Sequence, residues 1–467
     1  MNKDFDKYDN NDVSLLITKF ELMLDQNNSF YFDVEELEDI IEYYIDKNNL
    51  KKAYKAVLFA GEQHPNSVVF ILRKAQLFAS SNKTQKALEL LKEVELMDPS
   101  NCELFLTKGA IYSQLKKYEK AIEEYNKATK EAENLDDIYI NIAFEYENLG
   151  NFRKATDYLK KSLEINPDND AALYEIAFCF EHSNQLEESV EFYTQYIDNN
   201  PYSAVAWYNL GISYNILEQF ENSIEAFDFA IAIDDTFSSA YFNKGNCLIC
   251  LERYKEAIDV FIETLEMEKT DPYTFYYLGE CYEKLNQFEK ALTYYEQASK
   301  IDDSIADVWI GIGSVLDELG RPKESLPCIQ KALTLDPLNS EYLYMLGDIQ
   351  LKLKLFEKSI ESYRKVSEID ITNEEIWLDY SNAYKESGQI EMAIDLILKG
   401  IDLYPENISL LYRYVNYLII NLEEKHAYEI LTEALIKDFS IHIDFIEYDT
   451  HLKDNPQIMN LIDLYKK

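Results

Sequence analysis

The chain has 467 residues, of which 12 are glycine, 10 are proline and 47% are hydrophobic. This composition excludes intrinsic disorder for most of the chain and argues against a fold built from strands and many tight turns. The formal net charge is −41, from 86 acidic and 45 basic residues. It argues against a nucleic-acid or anionic-membrane partner, because both require a basic surface, and it leaves a basic or neutral partner open.

The N-terminal segment, residues 1–33, is predicted to contain one capping helix. Residues Met1 to Asn11 are polar and acidic, so no signal peptide is indicated, and no apolar run is long enough for a membrane span. Apolar residues at helical spacing then predict an amphipathic helix from about Asp12 to Asp25. Six irregularly spaced cysteines form no disulfide framework. We therefore expect a cytoplasmic protein with reduced thiols.

Residues 34–441 repeat with a period of 34 residues. Half of the glycines share one column of this register, which is small in nearly every repeat. These glycines are Gly109, Gly211, Gly245, Gly279, Gly313 and Gly347. A column twelve residues later holds only alanine or serine, and six of the ten prolines share a third column. From Ile41 to Val415 the register persists for 374 residues without an insertion, which is typical of a repeat array.

The repeat from Ala204 to Phe237 shows that each period contains two helices. Trp207 and Tyr214 flank Gly211 on one face of the first helix, which we call helix A. Apolar residues at the same spacing, including Phe227, form a second helix, helix B. Small residues in both helices allow their backbones to approach, and the bulky columns fill the space beside them.

This pattern resembles the tetratricopeptide repeat, in which W-x-x-L-G-x-x-Y precedes small, aromatic and small positions and a closing proline. The matching residues are Trp207, Leu210, Gly211, Tyr214, Ser223, Phe227 and Ala230, with Asp235 in place of the usual proline. About twelve such repeats cover nearly nine-tenths of the chain. The resemblance implies an all-α fold, a right-handed superhelical solenoid of antiparallel helix pairs with helical caps. It also implies a concave side on which extended peptides or partner helices bind.

The C-terminal segment, residues 442–467, is predicted to be a second helical cap. Its apolar residues between Phe445 and Tyr465 can cover the last repeat, as the ends of a repeat array require.

No sequence motif of an enzyme active site occurs, so we predict no catalytic residues, cofactor or metal. Cys247 and Cys250 form a C-x-x-C motif, but a tetrahedral zinc site requires two further ligands. Cys179, Cys247 and Cys281 share one column, which favours packing in the core for this motif.

Three columns of helix A form the predicted binding surface, which we call the A face. They lie six and three residues before the small glycine-rich column and one residue after it. The middle column is apolar in eleven of twelve repeats and includes Tyr174, Tyr208, Phe242, Tyr276 and Tyr344. An exposed apolar stripe indicates a binding surface. The alternative is that these side chains are buried against the neighbouring helix A.

The charges of the A face predict which partners it accepts. Its 36 positions contain no Lys or Arg and ten carboxylates, among them Glu280, Asp307, Glu341 and Asp348. This argues against a clamp for a peptide carboxylate, which requires basic residues.

Asparagines near the A face resemble the ladder by which some superhelical members of the family hold a peptide backbone. Asn141, Asn209 and Asn243 share the column two residues before the small one, and Asn246 lies nearby. An amide can both donate to a peptide carbonyl and accept from a peptide N–H. The alternative is that these asparagines are solvated polar residues.

The sequence therefore predicts a non-enzymatic scaffold that binds an extended or helical segment of another protein in an acidic, aromatic concave groove. Two alternatives remain open: a non-catalytic subunit of an enzyme complex, such as a transferase, and a self-assembling structural array.

Overall fold

The computed structural model describes residues 11–26 and 30–466, and over these residues the chain forms helices and no strands. The all-α prediction is confirmed. Residues 1–10, to which most of the predicted polar N-terminus belongs, lie outside the described residues. The chain divides into two compact units, Met1–Asp235 and Thr236–Lys467. None of the described helices has the length and apolarity required to cross a membrane.

The first unit contains thirteen described helices. In chain order they are α1 Asn11–Gln26, α2 Val34–Asp46, α3 Leu50–Gln63, α4 Val68–Ser80, α5 Thr84–Met97, α6 Cys102–Gln114, α7 Tyr118–Ala128, α8 Asp136–Asn148, α9 Phe152–Ile165, α10 Asp170–His182, α11 Leu186–Asn199, α12 Ala204–Ile216 and α13 Phe220–Ile233.

The described residues of the second unit form fourteen α-helices, together with a 3-10 helix, Thr450–Asp454, between the last two. They are α14 Ser238–Cys250, α15 Tyr254–Met267, α16 Pro272–Lys284, α17 Phe288–Ile301, α18 Ala306–Glu318, α19 Pro322–Leu335, α20 Ser340–Lys352, α21 Phe356–Ile369, α22 Ile376–Glu386, α23 Ile390–Leu403, α24 Ile408–Ile420, α25 Glu424–Lys437, α26 His442–Tyr448 and α27 Pro456–Tyr465.

Helices A and B of each repeat pack as consecutive pairs, from α2 with α3 to α24 with α25. The small column allows this close packing. A Cβ atom on Gly211 of α12 would lie 2.6 Å from Cε1 of Phe227 in α13, closer than real Cβ contacts. Glycines 109, 245, 279 and 347 face the aromatic ring sixteen residues later in the same way. Large rings of helix B therefore explain five of the six glycines in this column, and the sixth, Gly313, faces Ile329, whose Cγ1 would lie 2.7 Å from an added Cβ.

Each turn from helix A to helix B contains one residue with a positive φ. These residues recur every 34 positions: Asn48, Asn82, Lys116, Gly150, Asn184, Glu218, Glu252, Asn286, Gly320, Lys354, Gly388 and Leu422. Glycine adopts this left-handed conformation without strain and asparagine tolerates it better than most residues. Leu422, at a φ of 64°, is the least suited of the twelve.

Helices at both ends pack against the repeats. In α1, Phe20 is fully buried, with its ring 6.2 Å from that of Phe32 and 5.9 Å from that of Phe59. At the other end α27 packs on α25, and α26 packs on α24. Phe445 of α26 and Ile462 of α27 are buried in the same core.

Candidate functional site

The aromatic column of the A face is half-buried against helix B of its own repeat. The ring of Tyr208 lies 5.8 Å from that of Phe227. In the second unit, the corresponding distances are 5.9 Å for Phe242 and Phe261, 5.7 Å for Tyr276 and Tyr295, and 5.7 Å for Tyr344 and Tyr363. These rings therefore rest on an aromatic layer and keep one side partly exposed.

Exposure varies along this column because some neighbours cover it. Tyr174 is the most open of the predicted aromatic residues, at 41% exposure, and its ring lies 6.3 Å from that of Tyr208. Leu72 and Tyr412, in the same column, are buried. The alternative considered above, contact with the neighbouring helix A, occurs for Tyr174 on Tyr208 and for Phe242, whose ring lies 5.6 Å from that of Tyr277.

Tyrosine hydroxyls hold several carboxylates of the second unit in place. Tyr342 donates to Asp307, and Tyr363 donates to Asp348. Tyr344 donates to Asp379, which lies in the column beside the A face. A phenol is a neutral donor, so these hydrogen bonds orient the carboxylates without cancelling their negative charge.

Three predicted residues, Glu341, Tyr344 and Asp348, line one open cavity of about 530 Å³ between α18, α20 and the residues before α22. Five of its lining residues are acidic. They are Asp317, Glu318, Glu341, Asp348 and Asp370. Its one basic lining residue is Lys352, which forms an ion pair with Asp317. We call this cavity the acidic pocket.

Burial changes the titration of the carboxyl groups on this face. It raises the pKa of Asp348 to about 6, with a further increase from Asp379 and opposition from the Tyr363 hydrogen bond. Burial also raises the pKa of Glu280, and the nearby Asp307 adds to this effect. These carboxyl groups therefore bear an electrostatic cost that a cationic partner would relieve.

The first unit has a smaller groove of about 470 Å³, lined by Glu103, Leu106, Tyr125 and Asn141 among others. Arg73 reaches its edge, and its guanidinium lies 3.3 Å from Glu103 and 3.2 Å from Glu42. Arg73 was not among the predicted site residues because it belongs to the column beside the A face. That column also holds Arg413, so a charge count over four columns would have found both.

The predicted asparagines do not form a common exposed row. Asn209 is buried in α12 at 2% exposure, so the prediction that it belongs to a peptide-binding ladder is wrong. The Asn243 Nδ2 donates to the Ser239 carbonyl of its own helix at 2.9 Å. The Asn246 Oδ1 is buried without a partner among the described residues, and Asn141 lines the first-unit groove.

The cysteine prediction is confirmed for three positions and wrong for one. Cys179, Cys247 and Cys281 are buried, as packing residues should be. Cys250 is exposed because it lies at the last residue of α14 and points away from the core. At the C-terminal end His442 is partly buried and His451 is exposed.

Helix α26 lies on the A face at the end of the second unit. Its Tyr448 hydroxyl donates to Oδ1 of Asn382 in α22 at 2.7 Å, and the guanidinium of Arg413 lies 3.5 Å from the Tyr448 ring. The ring of Phe445 packs 5.4 Å from that of Tyr412 in α24. Asn382 and Tyr412 belong to two columns of the A face. The C-terminal segment thus covers two repeats of this face, one more than the sequence suggested.

Solved structures of similar architecture were found. The YrrB structure, described as a TPR protein with an unusual peptide-binding site, is 25% identical over 42% of this chain and 99% of that chain, with a TM-score of 0.36. A tetratricopeptide repeat protein from Parabacteroides merdae is 15% identical over 53% and 98%, with a TM-score of 0.41. The Cut9–Hcn1 structure of the APC/C is 14% identical over 86% and 92%, with a TM-score of 0.42. No curated protein matches the sequence.

Tetratricopeptide repeat family models match the chain in consecutive segments. The segments are residues 103–135, 137–169, 171–203, 204–237, 235–304, 310–374 and 374–407. Together with the helix pairs and their small column, these matches establish that the chain belongs to the tetratricopeptide repeat family.

Proposed function

We propose that this protein is a non-enzymatic, cytoplasmic interaction scaffold whose A face binds an extended or helical segment of another protein. The preferred segment carries Lys or Arg together with an apolar side chain. The family is one of repeat proteins that present extended binding surfaces rather than catalytic centres.

The docking of α26 on the A face carries the proposal. This helix uses one aromatic contact, Phe445 on Tyr412, and one hydrogen bond, Tyr448 to Asn382. The same columns continue along α14 to α20 with Phe242, Tyr276 and Tyr344, where no described helix covers them in this way. A partner helix or strand there would find the same combination of ring surface and polar groups.

Charge supports the choice of partner. The acidic pocket has five carboxylates and one lysine that is already paired. An incoming Lys or Arg can place its apolar stem along Tyr344 while its charge meets Glu341 or Asp348. Exposed ion pairs contribute only about 0.2–1 kcal/mol each. We therefore expect the aromatic residues to supply most of the affinity and the carboxylates to select the partner.

A peptide-binding measurement tests this function. The probe is a fluorescent peptide library of Lys- and Arg-containing, neutral and acidic members, titrated over the whole chain at low and high salt. Glu318→Lys with Glu341→Lys changes two exposed residues of the acidic pocket. The matched control is Glu289→Lys with Glu391→Lys, which alters two exposed glutamates of helix B by the same charge.

We expect basic peptides to be enriched, and the pocket variant to weaken their binding by roughly fivefold or more at low salt. The control should have little effect. Tyr344→Ala should weaken binding at every ionic strength, because the contact that it removes is apolar. Binding of acidic peptides that Tyr344→Ala abolishes, or equal losses in pocket and control variants, would refute the proposed function.

A further inference from the structure

One stretch of this acidic chain is strongly basic. Between Lys47 and Leu88 there are eight Lys or Arg residues and one acidic residue, Glu62. The basic residues are Lys47, Lys51, Lys52, Lys55, Arg73, Lys74, Lys83 and Lys86. This stretch spans α3 and α4 in the first unit. Its local charge is therefore opposite to that of the chain as a whole, which carries −41.

A pocket of about 370 Å³ opens within this stretch, between α3 and the end of α4. We call it the lysine pocket, and its lining residues are Leu50, Lys51, Tyr54, Lys55, Leu77, Phe78, Ser81 and Lys83. Its floor is apolar: the rings of Tyr54 and Phe78 are 5.9 Å apart, and Leu77 is buried beside them. The Lys83 ammonium lies 5.8 Å from the Phe78 ring.

The three lysines of this pocket are exposed and form no ion pair with any described residue. Two of their basic neighbours differ in this respect. Lys52 pairs with Glu21, and Arg73 pairs with Glu42 and Glu103. Lys51, Lys55 and Lys83 therefore keep their charge available at the rim of an apolar pocket.

Lys55 has the opposite charge to most residues in its column of the repeat register. In nine of the other eleven repeats, the residue in its column is a carboxylate. These residues are Glu89, Glu123, Asp157, Glu191, Glu225, Asp259, Glu361, Asp395 and Glu429. The structural demands of the repeat thus allow an acidic residue at this position, and they do not explain a lysine here.

We propose that the lysine pocket is a second interaction site, which binds an acidic segment of a partner protein. One aromatic or aliphatic side chain of that segment rests on the floor formed by Tyr54 and Phe78. Flanking Asp or Glu residues pair with Lys51, Lys55 and Lys83. This site lies outside the columns of the A face and selects the opposite charge.

A short acidic peptide suits this site better than a long polyanion. The pocket is near the lower end of the range for ligand pockets, which is about 300–1,000 Å³, and its apolar floor requires an apolar group. A nucleic acid or an anionic membrane would extend well beyond the three lysines. It would then meet the excess negative charge of the remaining surface, which repels it over roughly one Debye length, about 10 Å.

Anisotropy titrations of the full chain test the site with two synthetic probes. The first is a labelled nonapeptide with a central Phe flanked on each side by Asp and Glu, and the second replaces those acids by Asn and Gln. Lys51→Glu with Lys55→Glu alters exposed residues of the pocket. The control, Lys255→Glu with Lys323→Glu, changes the net charge equally at two exposed positions in the column of Lys51.

We expect the acidic probe to bind the wild-type chain at least about tenfold more tightly than its neutral analogue at low salt. The pocket variant should lose roughly tenfold in affinity, since each reversal replaces an ion pair by a repulsion, whereas the control should lose less than about twofold. Binding of a basic peptide should not change in the pocket variant, which separates this site from the A face.

Three outcomes would overturn the proposal. The first is equal affinity for the acidic and neutral probes, and the second is equal loss in pocket and control variants. The third is a different occupant. This outcome would be seen if a single-stranded oligonucleotide or phosphatidylserine vesicles bound more tightly than the peptide and lost affinity in Lys51→Glu with Lys55→Glu. It would also be seen if the wild-type chain self-associated and this variant did not.

Discussion

The contact between Gly211 and Phe227 can be tested by the addition of one methyl group. In Gly211→Ala the new Cβ would lie 2.6 Å from Cε1 and 2.7 Å from Cδ1 of Phe227, whereas ordinary contacts begin near 3.4 Å. The Phe227 ring is fully buried and has another ring, Tyr208, against it. Either the ring or helix α12 must therefore shift by most of an ångström.

The expected cost follows from two opposing effects. Overpacking of a core typically costs about 1–3 kcal/mol, while Ala is favoured over Gly in a helix by up to about 1 kcal/mol. We expect Gly211→Ala to lower the free energy of unfolding by about 1–2 kcal/mol. Gly61→Ala in α3 is the matched control, because among the described residues no atom outside its own stretch of helix lies within 4 Å of its added Cβ. This control should stabilise the chain by up to about 1 kcal/mol.

A second substitution should relieve the clash. In α8 and α9 the same two columns hold Ala143 and Leu159, both fully buried in one core. Alanine is therefore compatible with a leucine at this contact. The double variant Gly211→Ala with Phe227→Leu should lose less stability than the sum of the two single variants, by about 1 kcal/mol or more.

Denaturant unfolding followed by circular dichroism gives the overall stability, and amide hydrogen exchange in α12 and α13 gives the local value. Both are needed because long repeat arrays often depart from two-state unfolding. A Gly211→Ala variant as stable as the wild type would contradict a tight contact between Gly211 and Phe227. Simple additivity of the two substitutions would contradict it as well.

Two further predictions concern one partly buried and one buried carboxyl group whose pKa is raised. Burial raises the pKa of Asp348 to about 6, so the protonated form is favoured in the folded state and stability is lost as the pH rises from about 4 to 6. Asp348→Asn should therefore raise the melting temperature above pH 6 and change it little at pH 4, and a flat difference between the two would contradict this cause. Glu145 is buried, its Oε2 has no hydrogen-bond partner in the described part of the chain, and burial raises its pKa as well. Glu145→Gln should stabilise the chain at pH 7 and not at acid pH, measured by the same thermal unfolding.

The helical register was predictable because it repeats. The column of Gly211 is followed sixteen residues later by the column of Phe227 in every repeat. Twelve weak local signals therefore reinforce each other. The resulting helix pairs and the capping helix α1, Asn11–Gln26, follow from apolar spacing alone. Here local preference and global packing agree, which is the condition under which sequence patterns are reliable.

The details of the A face were less predictable because they depend on contacts between elements. Spacing places Tyr208 on one side of helix A, but it does not reveal how deeply the ring rests on Phe227. Asn209, the residue after Tyr208, is buried. Its column lies between the buried and the exposed face of helix A, so spacing alone does not predict on which side its side chain lies. The position of α26 beside Asn382 depends on how the chain turns after α25. The repeat pattern ends there, so the sequence register does not predict this turn.

The turn residues with positive φ are positions at which substitution could increase the stability of the chain. Nine of the twelve are not glycine, and Leu422 combines a φ of 64° with 85% exposure. A left-handed conformation costs an ordinary L-residue roughly 1–2 kcal/mol. These positions lie in neither the acidic pocket nor the floor of the lysine pocket. Thermal tolerance could therefore be engineered at these turns, one repeat at a time, independently of ligand preference.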